Sequence, residues 1–171
     1  FEAPSQISET ALQAARSTLK IESDAILNLQ NRLDASFQTA VTWIAECKGR
    51  VVICGMGKSG IIGRKLAATL ASTGTPSLWM HSAEAAHGDL GQVTRDDILI
   101  LISNSGETEE TRHLAPLAKK IGARLIAMTG GLKSTLAKAS DLVLDISVEK
   151  EGCPLGVAPM ASTAAQLAYG T

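Results

Sequence analysis

The run Val51-Val52-Ile53-Cys54-Gly55-Met56-Gly57-Lys58-Ser59-Gly60 decides the fold. A short, unbroken apolar segment passes into a turn of glycine and hydroxyl residues, and that turn opens a helical pattern from Gly60 to Ser72. The arrangement recurs downstream, where Ile98-Leu99-Ile100-Leu101-Ile102 runs into Ser103-Asn104-Ser105-Gly106-Glu107-Thr108 and then a second helical pattern. Strands covered on both faces read as continuous apolar runs. A helix that starts where such a strand ends leaves its first N–H groups unpaired and its positive dipole end on the loop, which suits phosphate. Two such loops on one sheet predict a phosphorylated small molecule gripped between strand ends.

Working outward, the apolar positions Ile7, Leu12, Ala15, Leu19, Ala25, Ile26 and Leu29, then Leu33, Phe37, Ala40, Val41, Ile44 and Cys47, keep a three-to-four spacing. They predict helix over 6–47, ended by Gly49 and long enough to pack partly against another subunit. Beyond Arg50 the chain alternates. Strands are expected at Val51–Cys54, Ser77–Met80, Ile98–Ile102, Arg124–Met128 and Leu142–Ile146. Helices are expected at Gly60–Ser72, Glu107–Ile121 and Ser134–Ala139, and a further one begins at Pro159. The fold class is α/β: a three-layer sandwich with a mainly parallel five-stranded sheet, preceded by N-terminal helices. The whole span 1–171 reads as one domain, a helical lead-in over 5–47 and an α/β core over 48–171. The last helical pattern stops soon after it starts, so an excerpt of a longer protein is expected.

Composition narrows the function. Of 171 residues, 45% are apolar and 19% charged, ordinary for a globular domain. Aromatics at 3% argue against base-stacking surfaces, and a net charge of −1 gives no footprint for nucleic acid or an anionic membrane. No apolar run approaches the ~18 residues that would span a bilayer. The cysteines, Cys47, Cys54 and Cys153, form no paired motif and read as reduced thiols of a cytoplasmic protein.

Gly55-x-Gly57-x-x-Gly60 satisfies the dinucleotide-binding pattern, but the next strand ends Trp79-Met80-His81 instead of in the acidic residue that would bind a ribose. Gly57-Lys58-Ser59 imitates a P-loop, yet position 52, which would need glycine, is Val52. What remains is a tight turn presenting Lys58 and Ser59 where open α/β sheets hold ligands. Ser103, Ser105 and Thr108 add hydroxyl donors, each charge-assisted contact being worth on the order of ~1 kcal/mol. The bland alternatives are a solvated lysine and a helix cap dressed with Glu107, Glu109 and Glu110. Three carboxylates there oppose a phosphate, so one is expected to move protons. His81 and His87 lack the spacing of ligands on one helix face, and His113 sits inside a helical pattern.

Together the two loops resemble the SIS (sugar isomerase) domain. Adding Glu84-Ala85-Ala86-His87-Gly88-Asp89-Leu90-Gly91 and Glu151-Gly152-Cys153-Pro154-Leu155-Gly156-Val157-Ala158-Pro159, the chain is similar to the arabinose 5-phosphate isomerases of lipopolysaccharide and capsule synthesis. The likeness runs from about Lys48 to Pro159. It implies interconversion of D-ribulose 5-phosphate and D-arabinose 5-phosphate, feeding synthesis of the eight-carbon sugar Kdo, by a homotetramer with sites between subunits. In the full-length type a pair of CBS domains follows the SIS domain.

Carried over by motif, the resemblance implies Lys58, Glu110 and Glu151 as catalytic residues. It implies substrate contacts at Ser59, Gly74, Thr75, His87, Ser103, Asn104, Ser105 and Thr108. His81 matches a position that takes zinc in relatives; the metal is adventitious, and no cofactor is required. The family's further catalytic histidine lies in a His-Pro segment past Thr171. Where the family commonly has hydroxyl residues after Ala158-Pro159, this chain has Met160-Ala161, and Gly170-Thr171 stands for a more usual Gly-Asp. Aldose–ketose exchange needs a base that returns its proton, a stabiliser for the enediolate oxygen and an acid for ring opening. Glu151 or Glu110 would be the base and Lys58 the stabiliser or phosphate anchor. His87 or the downstream histidine would open the ring. The alternatives are an isomerase of a hexulose or heptulose phosphate, and a non-catalytic domain that senses a sugar phosphate.

Overall fold

The computed structural model describes residues 4–171, and the side chain of Ile7 lies outside the described ones. Strands β1 (Val51–Gly55), β2 (Ser77–His81), β3 (Ile98–Ile102), β4 (Arg124–Thr129) and β5 (Leu142–Asp145) form one sheet in the order β2-β1-β3-β4-β5. All pairings are parallel. Parallel neighbours need crossovers, and helices supply them. The chain starts in the sheet's interior at β1, steps out to β2, then returns past β1 to β3. The carboxyl ends of β1 and β3 therefore flank the point where strand order reverses, the usual ligand crevice of such sheets.

Alternate strand residues point to opposite faces. Ile53, Ile100, Ile102, Ile126, Met128 and Leu144 meet α2 (Ala35–Ala45), α3 (Gly57–Ser72) and α7 (Ala161–Gly170) through Ala40, Leu66, Ala165 and Tyr169. On the other face Val52, Cys54, Leu99, Leu101, Leu125 and Ala127 meet α4 (Ser82–Ala86), α5 (Glu109–Ile121) and α6 (Thr135–Ala139). The three-layer sandwich follows from that alternation. The lead-in helix α1 (Pro4–Asn28) packs on α7, and Thr18 Oγ1 donates to the Gly152 carbonyl at 2.9 Å. Tyr169 completes the seam, its hydroxyl donating to the Arg32 carbonyl at 3.1 Å and its ring meeting Phe37 edge-on.

Several boundaries differ from the sequence expectation. The helix expected over 6–47 breaks after a 3-10 turn, Leu29–Arg32, and α2 restarts at Ala35 because the Asp34 carboxylate accepts from the N–H groups of Ser36 and Phe37. Apolar spacing carries on across such a cap, so periodicity alone cannot show it. Helix α3 starts at Gly57, which puts Lys58 and Ser59 in its first turn and not in a free loop. Helix α5 starts at Glu109, because Ser105 Oγ takes the Glu107 N–H at 3.1 Å and the Glu107 carboxylate takes that of Thr135 at 2.7 Å. Of the three acidic residues expected to crowd the loop, Glu107 is thus turned away. Helix α7 begins at Ala161, two residues later than its expected start. The segment between β2 and β3 holds α4 and a 3-10 turn, Asp89–Gln92, both too short to register as a period.

Candidate functional site

Three helix starts converge at the switch point. Gly55 and Gly60 make the first possible: a Cβ on Gly60 would lie 2.7 Å from the Gly55 carbonyl oxygen, so the strand-to-helix turn closes only without side chains there. No side chain caps α3, whose N-cap is Met56, and none caps α5, whose N-cap is Thr108. Their first N–H groups stay available to an anion. The third start is different. Glu151 accepts from the Met160 N–H at 2.7 Å and from the Ser162 N–H at 3.3 Å, holding the first turn of α7.

Between these starts lies a cavity of ≈ 390 Å³. Lys58 and Ser59 reach it from α3; Ser103, Asn104, Ser105 and Thr108 from the loop after β3; Glu151 and Pro159 from the segment before α7. Lys58 is the one cation and Glu151 the one carboxylate among its described lining residues. The loop is pre-formed: Ser103 Oγ and Thr108 Oγ1 share a hydrogen bond at 2.9 Å, and Ser103 Oγ also accepts from the Gly106 N–H. Gly106 has φ +68°, and a Cβ there would run into Ser134 Oγ, so the hydroxyls are held by a turn that only glycine allows. Glu151 is braced from below by α1 through the Thr18–Gly152 contact.

The other sequence-predicted residues lie elsewhere in the chain. Glu110 and His87 share a second groove of ≈ 610 Å³ with Glu109, His113 and Lys120, between α4 and α5. Helical phase explains it. Glu110 stands on the first turn of α5, three residues before His113, and i and i+3 positions share a helix face, so it lines the same groove as His113. Gly74 and Thr75 precede β2, at the amino end of the sheet, about 16 Å of strand away from the cavity. Thr75 lines an apolar cleft with Phe37, Leu66 and Tyr169. His81 ends β2 beside Gly55, its ring edge-on to Trp79 at 6.0 Å. Among the described residues no three His, Cys, Asp or Glu side chains cluster as metal ligands, so they give His81 no three-ligand site.

Two lining residues escaped the sequence reading. Ser162 and Gln166, one turn apart on α7, are buried polar side chains facing the cavity. Their signal was present as two polar positions at i and i+4 in a helix rich in alanine.

The fold and cavity define an α/β protein with a cavity where strand order reverses, lined by one lysine, one carboxylate and a loop of hydroxyl residues. The SIS domain family matches residues 44–171, and the chain belongs to that family. It is 50% identical over 159 residues to arabinose 5-phosphate isomerase KdsD of Pseudomonas aeruginosa, covering 93% of this chain and 49% of that one. To arabinose 5-phosphate isomerase KpsF of Escherichia coli it is 49% identical over 167 residues, covering 97% and 51%. The chain thus spans about half the length of the curated relatives it matches. Among solved structures it superposes on an E. coli CFT073 protein in complex with arabinose 5-phosphate, with TM-score 0.89, 43% identity, and 95% and 86% of the two chains covered. For a Listeria monocytogenes protein described as a sugar-phosphate isomerase the values are 0.90, 34%, and 95% and 85%.

Proposed function

We propose that the protein is an aldose–ketose isomerase interconverting D-ribulose 5-phosphate and D-arabinose 5-phosphate. The observation that carries this is the meeting of Lys58, Glu151 and the Ser103–Thr108 loop in one cavity, in a chain half identical to proteins named for that reaction. The phosphate sits on the loop hydroxyls and the open starts of α3 and α5. Anchored there, away from the reacting carbons, it orients the sugar's other end. Glu151 takes the proton next to the carbonyl, the pair of electrons moves into an enediolate, and the same carboxylate returns the proton to the neighbouring carbon. Lys58 offsets the charge that develops on the enediolate oxygen. One proton moves between the two carbons and one from the hydroxyl oxygen to the former carbonyl oxygen, with no net oxidation or reduction, so the reaction calls for no cofactor; zinc at His81 would be adventitious.

Glu110 and His87 enter from a neighbouring subunit of a homotetramer, whose second groove closes over the first cavity and supplies ring opening. The same reading brings Gly74 and Thr75 to a site between subunits. The product, on this reading, feeds Kdo synthesis in the cytoplasm. Incubating the protein at its natural length with ribulose 5-phosphate and following arabinose 5-phosphate tests the reading. Accumulation to an equilibrium mixture is expected. Tight binding of the pentose phosphate with no turnover would leave a sensor in its place.

A further inference from the structure

We propose that Ser162 and Gln166 are specificity-determining residues that hold hydroxyl groups of the ligand's carbon chain; this rests on the sugar-phosphate reading of the cavity. Each is only 1% exposed, and both line the cavity that holds Lys58 and Glu151. Neither Ser162 Oγ nor Gln166 Oε1 has a hydrogen-bond partner among the described residues. Buried polar atoms are nearly always paired, because leaving one unpaired forfeits its water without replacement. Two side chains one helical turn apart that line one cavity and carry unpaired oxygens are places kept for a ligand.

Their chemistry names the class of group. An amide oxygen only accepts, while a serine hydroxyl donates or accepts. A polyhydroxylated chain offers both, whereas a phosphate dianion offers acceptors alone and is served by the open starts of α3 and α5. The Ser162 N–H is already held by Glu151, which places the serine hydroxyl in the same turn as that carboxylate's anchor. The carbon chain therefore lies along α7 with its phosphate on the Ser103–Thr108 loop. A site that pairs buried polar atoms with ligand hydroxyls rejects the analogue lacking them, since those atoms are stranded again.

Calorimetry on the protein at its natural length, with arabinitol 5-phosphate, pentyl phosphate and inorganic phosphate, tests this alongside the isomerase assay. Wild type should bind arabinitol 5-phosphate about tenfold or more tightly than pentyl phosphate. Gln166→Met, similar in shape, should erase most of that gap. It should move pentyl phosphate and inorganic phosphate by less than about threefold, and leave the ligand-free melting temperature unchanged or higher. Ser162→Ala, which removes one oxygen, should narrow the gap in the same direction and serves if the first variant does not fold. A gap that persists in the variants overturns the assignment, as does an equal loss for all three ligands. Wild type that isomerises while the variants keep the gap sinks this inference alone. Wild type that discriminates through Gln166 yet turns over nothing sinks the isomerase reading alone.

Discussion

Lys58 stands on the first turn of α3, exposed and lining the cavity, with no other cation among the described lining residues. Because nothing in the fold leans on it, Lys58→Ala should keep its melting temperature and lose about 10²-fold or more in kcat, the scale of a lost electrostatic stabiliser. Near-normal turnover would return Lys58 to a solvated surface charge. The cysteines make a second contrast at this scale. Burial pushes the Cys54 thiol up to about 12, so it stays protonated and inert. The backbone N–H of Val157, then those of Ala158 and Leu155, hold the Cys153 thiol below its usual value. Iodoacetamide at pH 8 should therefore label Cys153 well before Cys54, read by peptide mass spectrometry; equal labelling would contradict that ordering. Lys58 and the serine loop were legible in the sequence because strand, turn and helix start are neighbours along the chain. Gln166 was not, since what makes it informative is burial without a partner, a property of packing.

Among the elements, the sheet's amino end has its own anchor. Asp97, 2% exposed, accepts from the Arg50 N–H at 2.6 Å and the Thr94 N–H at 2.7 Å, tying β1 to β3. Burial works to raise its pKa, but these two amides and the Arg50 guanidinium outweigh it and hold the carboxyl below its ordinary value. A depressed carboxylate stabilises the fold fully above its unfolded pKa and loses that contribution as pH falls through the folded one. Asp97→Asn offers one acceptor oxygen to two N–H groups, so it should cost about 1–3 kcal/mol at pH 7 and flatten the acid limb of stability, measured by urea titration across pH. An unchanged acid limb would show the tie to be idle. The α5 helix teaches the opposite lesson about legibility. Thr108 and Glu110 stand close in the sequence, yet where α5 starts decides their phase. That start depends on Glu107 bonding Thr135, a contact from a distant segment that no local pattern records.

At the scale of the whole molecule, apolar surface is left uncovered. Leu12, Leu19 and Ile26 on α1 are 48%, 66% and 42% exposed, while Phe37 and Ile44 on α2 are half-buried against the sheet. The expected stripe thus divides, α2 giving to the core and α1 leaving large side chains in water. Together with the separation of Lys58 and Glu151 from Glu110 and His87 into two grooves, this is the ground for the tetramer proposed above. Light scattering should give a mass of four chains at micromolar concentration, and Leu19→Glu should lower both the mass and the turnover. A monomer with full activity would defeat the shared site. The parallel five-stranded sheet and its two covered faces were foreseeable, because unbroken Ile, Val and Leu runs separated by helical periods admit few other solutions. How grooves from different copies meet is written in surface complementarity, which a single chain's apolar pattern does not spell out.

The open helix starts have a thermodynamic counterpart. With α3 and α5 uncapped by any side chain, an occupant completes their hydrogen bonding, and whatever binds only the native state stabilises it by RT ln(1 + [L]/Kd). Folding and occupancy are thus one linked equilibrium: the empty protein melts at the bottom of its range, and its heat resistance climbs with the concentration of any small oxyanion that fits. At constant ionic strength the melting temperature should rise with inorganic phosphate and stay flat with chloride. On the proposed function, phosphate in a buffer would compete with the sugar and stabilise the chain at once, so the composition of the medium would set how firmly the empty molecule holds its shape.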